Sequence, residues 1–259
     1  MWGDITPAER LRALARRGGG DDLAAEATAA LAGYADDPAS LVVACRRLLA
    51  HHADHAPLLW ACSRLLTATE PAGEARRIIE RLRDDATGRH LAAALPLLDD
   101  HSGVVALGWD AAIDEAMVER IDLPVVAVRA RGADPVARLR HRRSDRTIRV
   151  IDTWEQPPYP AGVLLVPAVV IGPDRAVVAA GFDEVHAALA PAASWLIGGE
   201  GRCLPTVLAG RIERTLDPNE TASVAIDRFT RAIGPGGAAE PAVVASRTDC
   251  PVAPELLGG

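Results

Sequence analysis

The chain contains no lysine; all 28 of its basic residues are arginine. That absence excludes Schiff-base catalysis, a phosphate-loop lysine and a lysine general base. Aromatic residues make up only 3% of the 259, so aliphatic side chains, chiefly Ala, Leu and Val, must fill the core. A membrane span needs about 20 apolar residues. The longest apolar run, "AGVLLVPAVVIG" (161–172), falls short of that and ends in Pro-Asp-Arg. The opening "MWGDITPAERLRALARR" lacks the apolar segment of a signal peptide. Cys45, Cys62, Cys203 and Cys250 form no Cys-x-x-Cys, which fits reduced thiols in a cytoplasm. Neither a Gly-x-Ser-x-Gly elbow nor a Ser/His/Asp order marks a hydrolase. The net charge of −7 lacks the basic excess that nonspecific nucleic-acid binding requires. A cytoplasmic protein with no membrane or nucleic-acid partner is expected. The all-Arg, Ala-rich composition points to a GC-rich bacterial source.

What is present divides into two patterns. Before residue 100 the apolar spacing is helical. In "DDPASLVVACRRLLAHH", Asp37 suits an N-cap and Pro38 the first helical position. Leu41, Val42, Cys45, Leu48 and Leu49 then share one face. "HAPLLWACSRLLTA" repeats the spacing with Leu58, Leu59, Cys62, Leu65 and Leu66. A third helix starts at Pro71 and presents Ala75, Ile78, Ile79 and Leu82. "PAERLRALARR" and "DDLAAEATAALAGY" are two more, split by "RRGGGDD".

After residue 100 short β-branched runs alternate with helical stretches: "SGVVALG", "LPVVAVRA", "RTIRVID", "AGVLLVPAVVIG" and "SWLIGG". That alternation predicts a parallel sheet with helical crossovers. The expected fold class is α/β: an all-helical N-terminal domain over 1–98, then a Rossmann-like α/β domain over 99–259 with a mainly parallel sheet. "LPLLDDHSG" marks the junction. The Pro/Gly/Ala-rich tail from "GPGGAAEP" onward is expected to lie along the surface with its last residues loose.

Open parallel sheets bind ligands beyond the carboxyl ends of their strands. Three strand exits offer glycine or arginine there: Gly108; Arg129 and Arg131; and Gly198, Gly199, Gly201 and Arg202. Free backbone N–H groups beside a guanidinium suit a phosphate. The competing reading is that these glycines only make tight exits. Cys203, beside Arg202, is either a cation-activated nucleophile or a small apolar turn residue. His51 and His55 are spaced i, i+4 as metal ligands can be, but Pro57 puts a helix boundary there and no His-Glu-x-x-His frame exists. No metal and no cofactor are expected. The paired aspartates at 21–22, 36–37, 84–85 and 99–100 suit helix edges.

The order of elements resembles the translation initiation factor two-B alpha/beta/delta family, which includes methylthioribose-1-phosphate and ribose-1,5-bisphosphate isomerases. "HAPLLWACSRLL", "SGVVALGWDAAIDEAM", "VVAVRARG", "LLVPAVVIGPDRAVVAAGFDEVHAALA" and "DRFTRAIGPGG" carry the resemblance over nearly the whole chain. By this resemblance Arg131 matches the arginine of a Glu-Ser-Arg-Pro-like signature. The acidic position of the isomerases falls on Ala168, and their Asn-Lys falls on Ala179-Ala180. No cysteine follows the early strand. Alanine can act as neither general acid nor general base.

The resemblance therefore implies a homodimer without isomerase catalysis. It would bind a phosphorylated small molecule, a sugar phosphate or a nucleotide, through Gly108, Arg131, Gly198, Gly199, Gly201 and Arg202 in a regulatory or accessory role. Two alternatives remain open. One is an active sugar-phosphate isomerase with relocated groups, Cys203 with Asp174 or Asp183. The other is a protein-interaction module, marked by an exposed apolar patch on the helical part and strand exits filled from within.

Overall fold

The computed structural model describes residues 6–16, 22–95, 103–132, 148–151, 161–189 and 193–257. Of the expected junction "LPLLDDHSG", residues 96–102 lie outside them, as do 17–21 of "RRGGGDD". Every described element between Pro7 and Ala94 is helical: α1 (Pro7–Arg16), α2 (Leu23–Leu31), α3 (Pro38–His51), α4 (Ala56–Thr67), α5 (Pro71–Arg83) and α6 (Thr87–Ala94), with a single 3-10 turn at Ala32–Tyr34.

Local chemistry sets the helix starts. Asp37 accepts a hydrogen bond from the Ser40 N–H at 3.1 Å, and Pro38 supplies a first helical position that needs no donor. Thr6 and Glu9 form a capping box: Glu9 Oε2 accepts from the Thr6 N–H at 3.0 Å, and the Thr6 hydroxyl accepts from the Glu9 N–H at 3.4 Å. His55 caps α4, its Nδ1 accepting from the Leu58 N–H at 3.2 Å. Among the described residues no cluster of three metal-ligating side chains exists. Spacing identified the buried faces well. Leu41, Cys45, Leu48, Leu49, Leu58, Leu59, Cys62, Leu65, Ala75 and Ile78 are all buried. Val42, Leu66, Ile79 and Leu82 sit half-buried at the edges of those faces.

The α/β part adds β1 (Gly103–Trp109), α7 (Ala111–Glu119), β2 (Val125–Gly132), β3 (Ile148–Ile151), β4 (Ala161–Pro167), β5 (Val170–Ile171), β6 (Arg175–Ala179), α8 (Phe182–Ala188) and β7 (Ala193–Ile197). After α9 (Thr206–Glu213) come β8 (Thr221–Ala225), β9 (Arg231–Gly234), β10 (Gly237–Ala239) and α10 (Pro241–Ser246). Seven strands form one sheet in the order β10-β9-β7-β4-β1-β2-β3, parallel throughout except for β10. β1 lies inside it between β4 and β2, buried at every position, as a strand covered on both faces must be. Val104, Ala106, Val125, Ala127, Val163 and Leu165 share one core with Ile113 and Met117 of α7.

"AGVLLVPAVVIG" is two strands rather than one. Pro167 has no N–H to extend the ladder, so β4 ends there and the chain enters a separate antiparallel sheet, β5-β6-β8. The tail is also more structured than its composition suggests. It holds β10, α10 and a 3-10 turn at Pro254–Leu256, and Ala253 is fully buried.

The chain falls into two compact units, and they are not contiguous in sequence. A helical unit gathers residues up to Asp85 with Glu200–Thr215 and the segment from Thr248 onward. An α/β unit comprises Ala86–Gly199 and Leu216–Arg247. The division expected at 98/99 therefore differs in two places. α6 belongs to the α/β unit, where it packs on α7. α9 and the C-terminal segment belong to the helical unit, where α9 packs on α4.

Asp110 caps α7 by accepting from the Ile113 N–H at 3.0 Å. Asp110→Ala is expected to cost about 1 kcal/mol, read as a lower urea midpoint with unchanged slope.

Candidate functional site

The strand exits of the α/β unit come first. Gly108 has φ 89° and sits where the β1–β2 register shifts between Leu107 and Trp109. Across it the register advances two residues on β1 and four on β2, which sets buried Trp109 opposite Gly132. The helix start just beyond it, where an anion would be drawn, is already occupied by the Asp110 carboxylate. At the β7 exit, the Gly198 N–H donates to the Ile233 carbonyl at 2.9 Å. A Cβ on Gly198 would lie 2.4 Å from Ile171 Cδ1, so close packing explains this glycine. Between these exits Ala168 is 1% exposed, its N–H held by the Ile197 carbonyl at 2.8 Å. Arg129 is exposed, and Arg131 occupies the end of β2 with a side chain outside the described residues.

The rest of the glycine-rich loop belongs to the helical unit: Glu200, Gly201, Arg202 and Cys203. Here the centre is Trp60 of α4, 1% exposed. The Arg81 and Arg64 guanidiniums lie 5.0 and 5.4 Å from its ring centroid. Gly201, at φ 76°, lies against the same ring; a Cβ there would approach Trp60 to 3.1 Å and the Pro57 Cα to 3.0 Å. The indole N–H donates to Asp249 Oδ1 at 3.1 Å. Asp249 also accepts from Arg64 at 2.6 Å and from Arg81. Arg81 reaches Glu200 at 2.6 Å, and Arg64 reaches Glu74 at 2.5 Å. The Glu200 N–H donates to Asp85 at 2.8 Å. The loop thus meets tryptophan and paired charge where an open anion cradle was expected.

The carboxylates respond differently to this field. Burial pushes Glu74 and Asp249 up, but hydrogen-bonded guanidiniums outweigh it and leave both below the ordinary carboxylate range. Glu200 is raised: burial outweighs its pairing with Arg81, and Asp85 and Asp249 add repulsion. The two ends of the Arg81–Glu200 pair therefore differ, since Arg81 gains from Glu200 and Asp249 together while Glu200 faces two like charges. Cys203 is pushed up to about 12, first by burial and then by Glu200 and Asp249. Of the two readings of Cys203, this direction favours the small turn residue over the cation-activated nucleophile. The acids named with it lie elsewhere. Asp174 is exposed in the β5–β6 turn, and Asp183, 80% exposed, pairs with Arg228 at 3.1 Å. Both belong to the α/β unit.

A cavity of about 600 Å³ opens in the helical unit between α1 and α3. Leu11, Val43 and Leu48 line it, with Arg12, Arg47 and His51. None of the residues around Trp60 belongs to it. Sequence reading missed this cavity as well as Trp60, Arg81, Glu200 and Asp249 as a group. The one available signal was Trp60 itself, a rare aromatic on an apolar helix face.

Three outcomes test this geometry. Iodoacetamide should alkylate Cys203 at about pH 8 more than about 100-fold slower than a free cysteine, followed by peptide mass spectrometry. Gly201→Ala should cost about 1–2 kcal/mol, because it strains a left-handed residue and presses on Trp60. Glu74 has a folded pKa below its unfolded one, so its stabilisation is present above about pH 4.5 and is lost as pH falls through the folded value. Glu74→Gln should therefore flatten the fall in urea stability below that pH; an unchanged acid limb would contradict the pairing with Arg64 and Arg77.

No protein-family model and no curated protein sequence matches the chain. Solved structures do. A chain of the tetrameric eIF2B-beta2-delta2 complex from C. thermophilum matches with a TM-score of 0.70 at 14% identity, over 93% of this chain and 92% of that one. eIF2B delta from Chaetomium thermophilum gives 0.64 at 12% identity, over 89% and 98%. The eIF-2B delta subunit from A. fulgidus gives 0.55 at 12% identity, over 91% and 88%. The neighbours span nearly the full length of the chain: this molecule has the fold of the eIF2B beta and delta subunits.

Proposed function

We propose that the chain is an eIF2B-like accessory protein that works by assembly and protein contact, without sugar-phosphate isomerase catalysis. Ala168 carries the reading. The resemblance requires a carboxylic acid at this position, and the residue is a buried alanine whose backbone N–H is already bonded. Ala179, at the Asn-Lys position, is buried too. The Cys203 thiol, held up at about 12, does not supply the missing base. Support for assembly comes from the neighbours, one of which belongs to a tetrameric complex. The chain is read as a homodimer that pairs through its α/β unit.

A phosphorylated small molecule is the weaker part of the earlier expectation, because Gly198 packs against Ile171 and Asp110 fills the helix start beyond Gly108. Two measurements separate these readings. Phosphorus NMR with methylthioribose-1-phosphate or ribose-1,5-bisphosphate should show no conversion, and sedimentation equilibrium should show a dimer at micromolar concentration. Turnover that Cys203→Ser abolishes would replace this reading with the isomerase. Calorimetry with ribose 5-phosphate should show no saturable heat at about millimolar concentration. Saturable heat lost in Arg131→Ala would restore the phosphate site in place of the assembly reading.

A further inference from the structure

The cavity between α1 and α3 has the form of a helix-binding groove. On α1, Ala8, Leu11, Arg12 and Ala15 fall at i, i+3, i+4 and i+7, one continuous stripe. On α3 the lining runs from Ala39 to His51, about 18 Å of helix at 1.5 Å per residue. Ala8, Ala15, Ala39 and Ala44 are small, and their missing side-chain volume creates the trough. Val43 stands in it 51% exposed, among the few large apolar side chains so exposed among the described residues. The walls are fixed. His52 Nε2 is hydrogen-bonded to the Leu14 carbonyl at 3.0 Å, tying α3 to α1. Gly33 takes the start of α1 so closely that a Cβ there would lie 2.7 Å from Pro7.

The rim carries a definite sign. Arg12, Arg47 and His51 line the groove, and among the described residues no Asp or Glu does, in a chain whose net charge is −7. Two helices side by side leave a furrow that complements a third, and such furrows take amphipathic helices by anchors at i, i+3, i+4 and i+7. We infer that the α1/α3 groove docks an amphipathic helix of a protein partner, about three turns long, with an apolar seam on Val43 and Leu11 and carboxylates flanking it opposite Arg12 and Arg47. This deepens the protein-contact reading above and rests on it for the kind of partner.

The test uses the full-length protein and a designed, fluorescein-labelled peptide of about 14 residues, with leucines at helical spacing and glutamates on both flanks. Anisotropy should show saturable binding in the micromolar range, weakening as salt rises. Val43→Glu and Arg47→Glu should each weaken it about 10-fold or more. Both side chains are exposed, so circular dichroism and melting should not change. A peptide with the same leucines but lysine flanks should bind about 10-fold weaker or not at all. Amide exchange should slow on α1 and α3 when the acidic peptide is added. No saturation by about 100 μM, equal binding of the lysine peptide, or wild-type binding by both variants would overturn the docking site. If Val43→Glu instead splits the sedimenting dimer, the groove is a contact between copies of this chain; the docking inference falls and the assembly reading stands. A monomeric protein that still binds the acidic peptide would remove the homodimer and keep the groove.

Discussion

The helical unit depends on one stacked indole. Trp60 is fully buried, and three segments far apart in sequence meet on it: Arg64 and Arg81 over the ring, Gly201 against it, and Asp249 on its N–H. In a chain with so few aromatics, Trp60 supplies a large buried area and a polar handle together. Its demands then propagate. Position 201 must be glycine, since the ring fills the space a Cβ would take. The C-terminal segment is held because Asp249 anchors it, and Ser63 anchors it again through the Pro251 carbonyl and the Ala253 N–H. Arg46 and Arg211 extend the same attachment to the carbonyls of Glu255 and Leu256. That attachment explains why a Pro- and Ala-rich tail is ordered.

Charge around this indole is arranged for mutual satisfaction. Two guanidiniums share three carboxylates, and each contact uses up donor capacity that a bound phosphate would need. Burial opposes ionisation of Cys203, and two of these carboxylates, Glu200 and Asp249, add to it. Cys45 and Cys62 are shielded for a simpler reason: both lie at 0% exposure in the helical core, and none of the four cysteines is in a disulfide.

Legibility in the sequence followed the range of the determining interaction. Helix starts at Pro38 and Pro71 and the apolar faces of α3 and α4 rest on contacts within four residues, and the sequence displays them directly. The parallel sheet was legible because β1, β2, β4 and β7 are apolar runs with helical stretches between them. β8 and β10, as Thr-Ala-Ser-Val-Ala and Gly-Ala-Ala, carry little strand propensity and exist through pairing with β6 and β9. The order of units was hidden for a related reason. Nothing local in Thr206–Glu213 says that this helix packs on α4. Glycines gave the least reliable signal. A glycine that makes room for a ligand and one that makes room for Ile171 or Trp60 look identical in sequence, and here the second kind prevailed at Gly198 and Gly201.

A sheet edge becomes a site only when its backbone donors and helix ends are left unspent. In this molecule Asp110 takes the end of α7, the Ile233 carbonyl takes the Gly198 donor, and the Ile197 carbonyl takes the donor of Ala168. Val43 of α3 is one of the large apolar side chains left exposed among the described residues, and it stands in a groove that Arg12, Arg47 and His51 also line. On the reading proposed above, recognition falls to this helical surface, and a partner helix with an acidic border is the chemistry it fits.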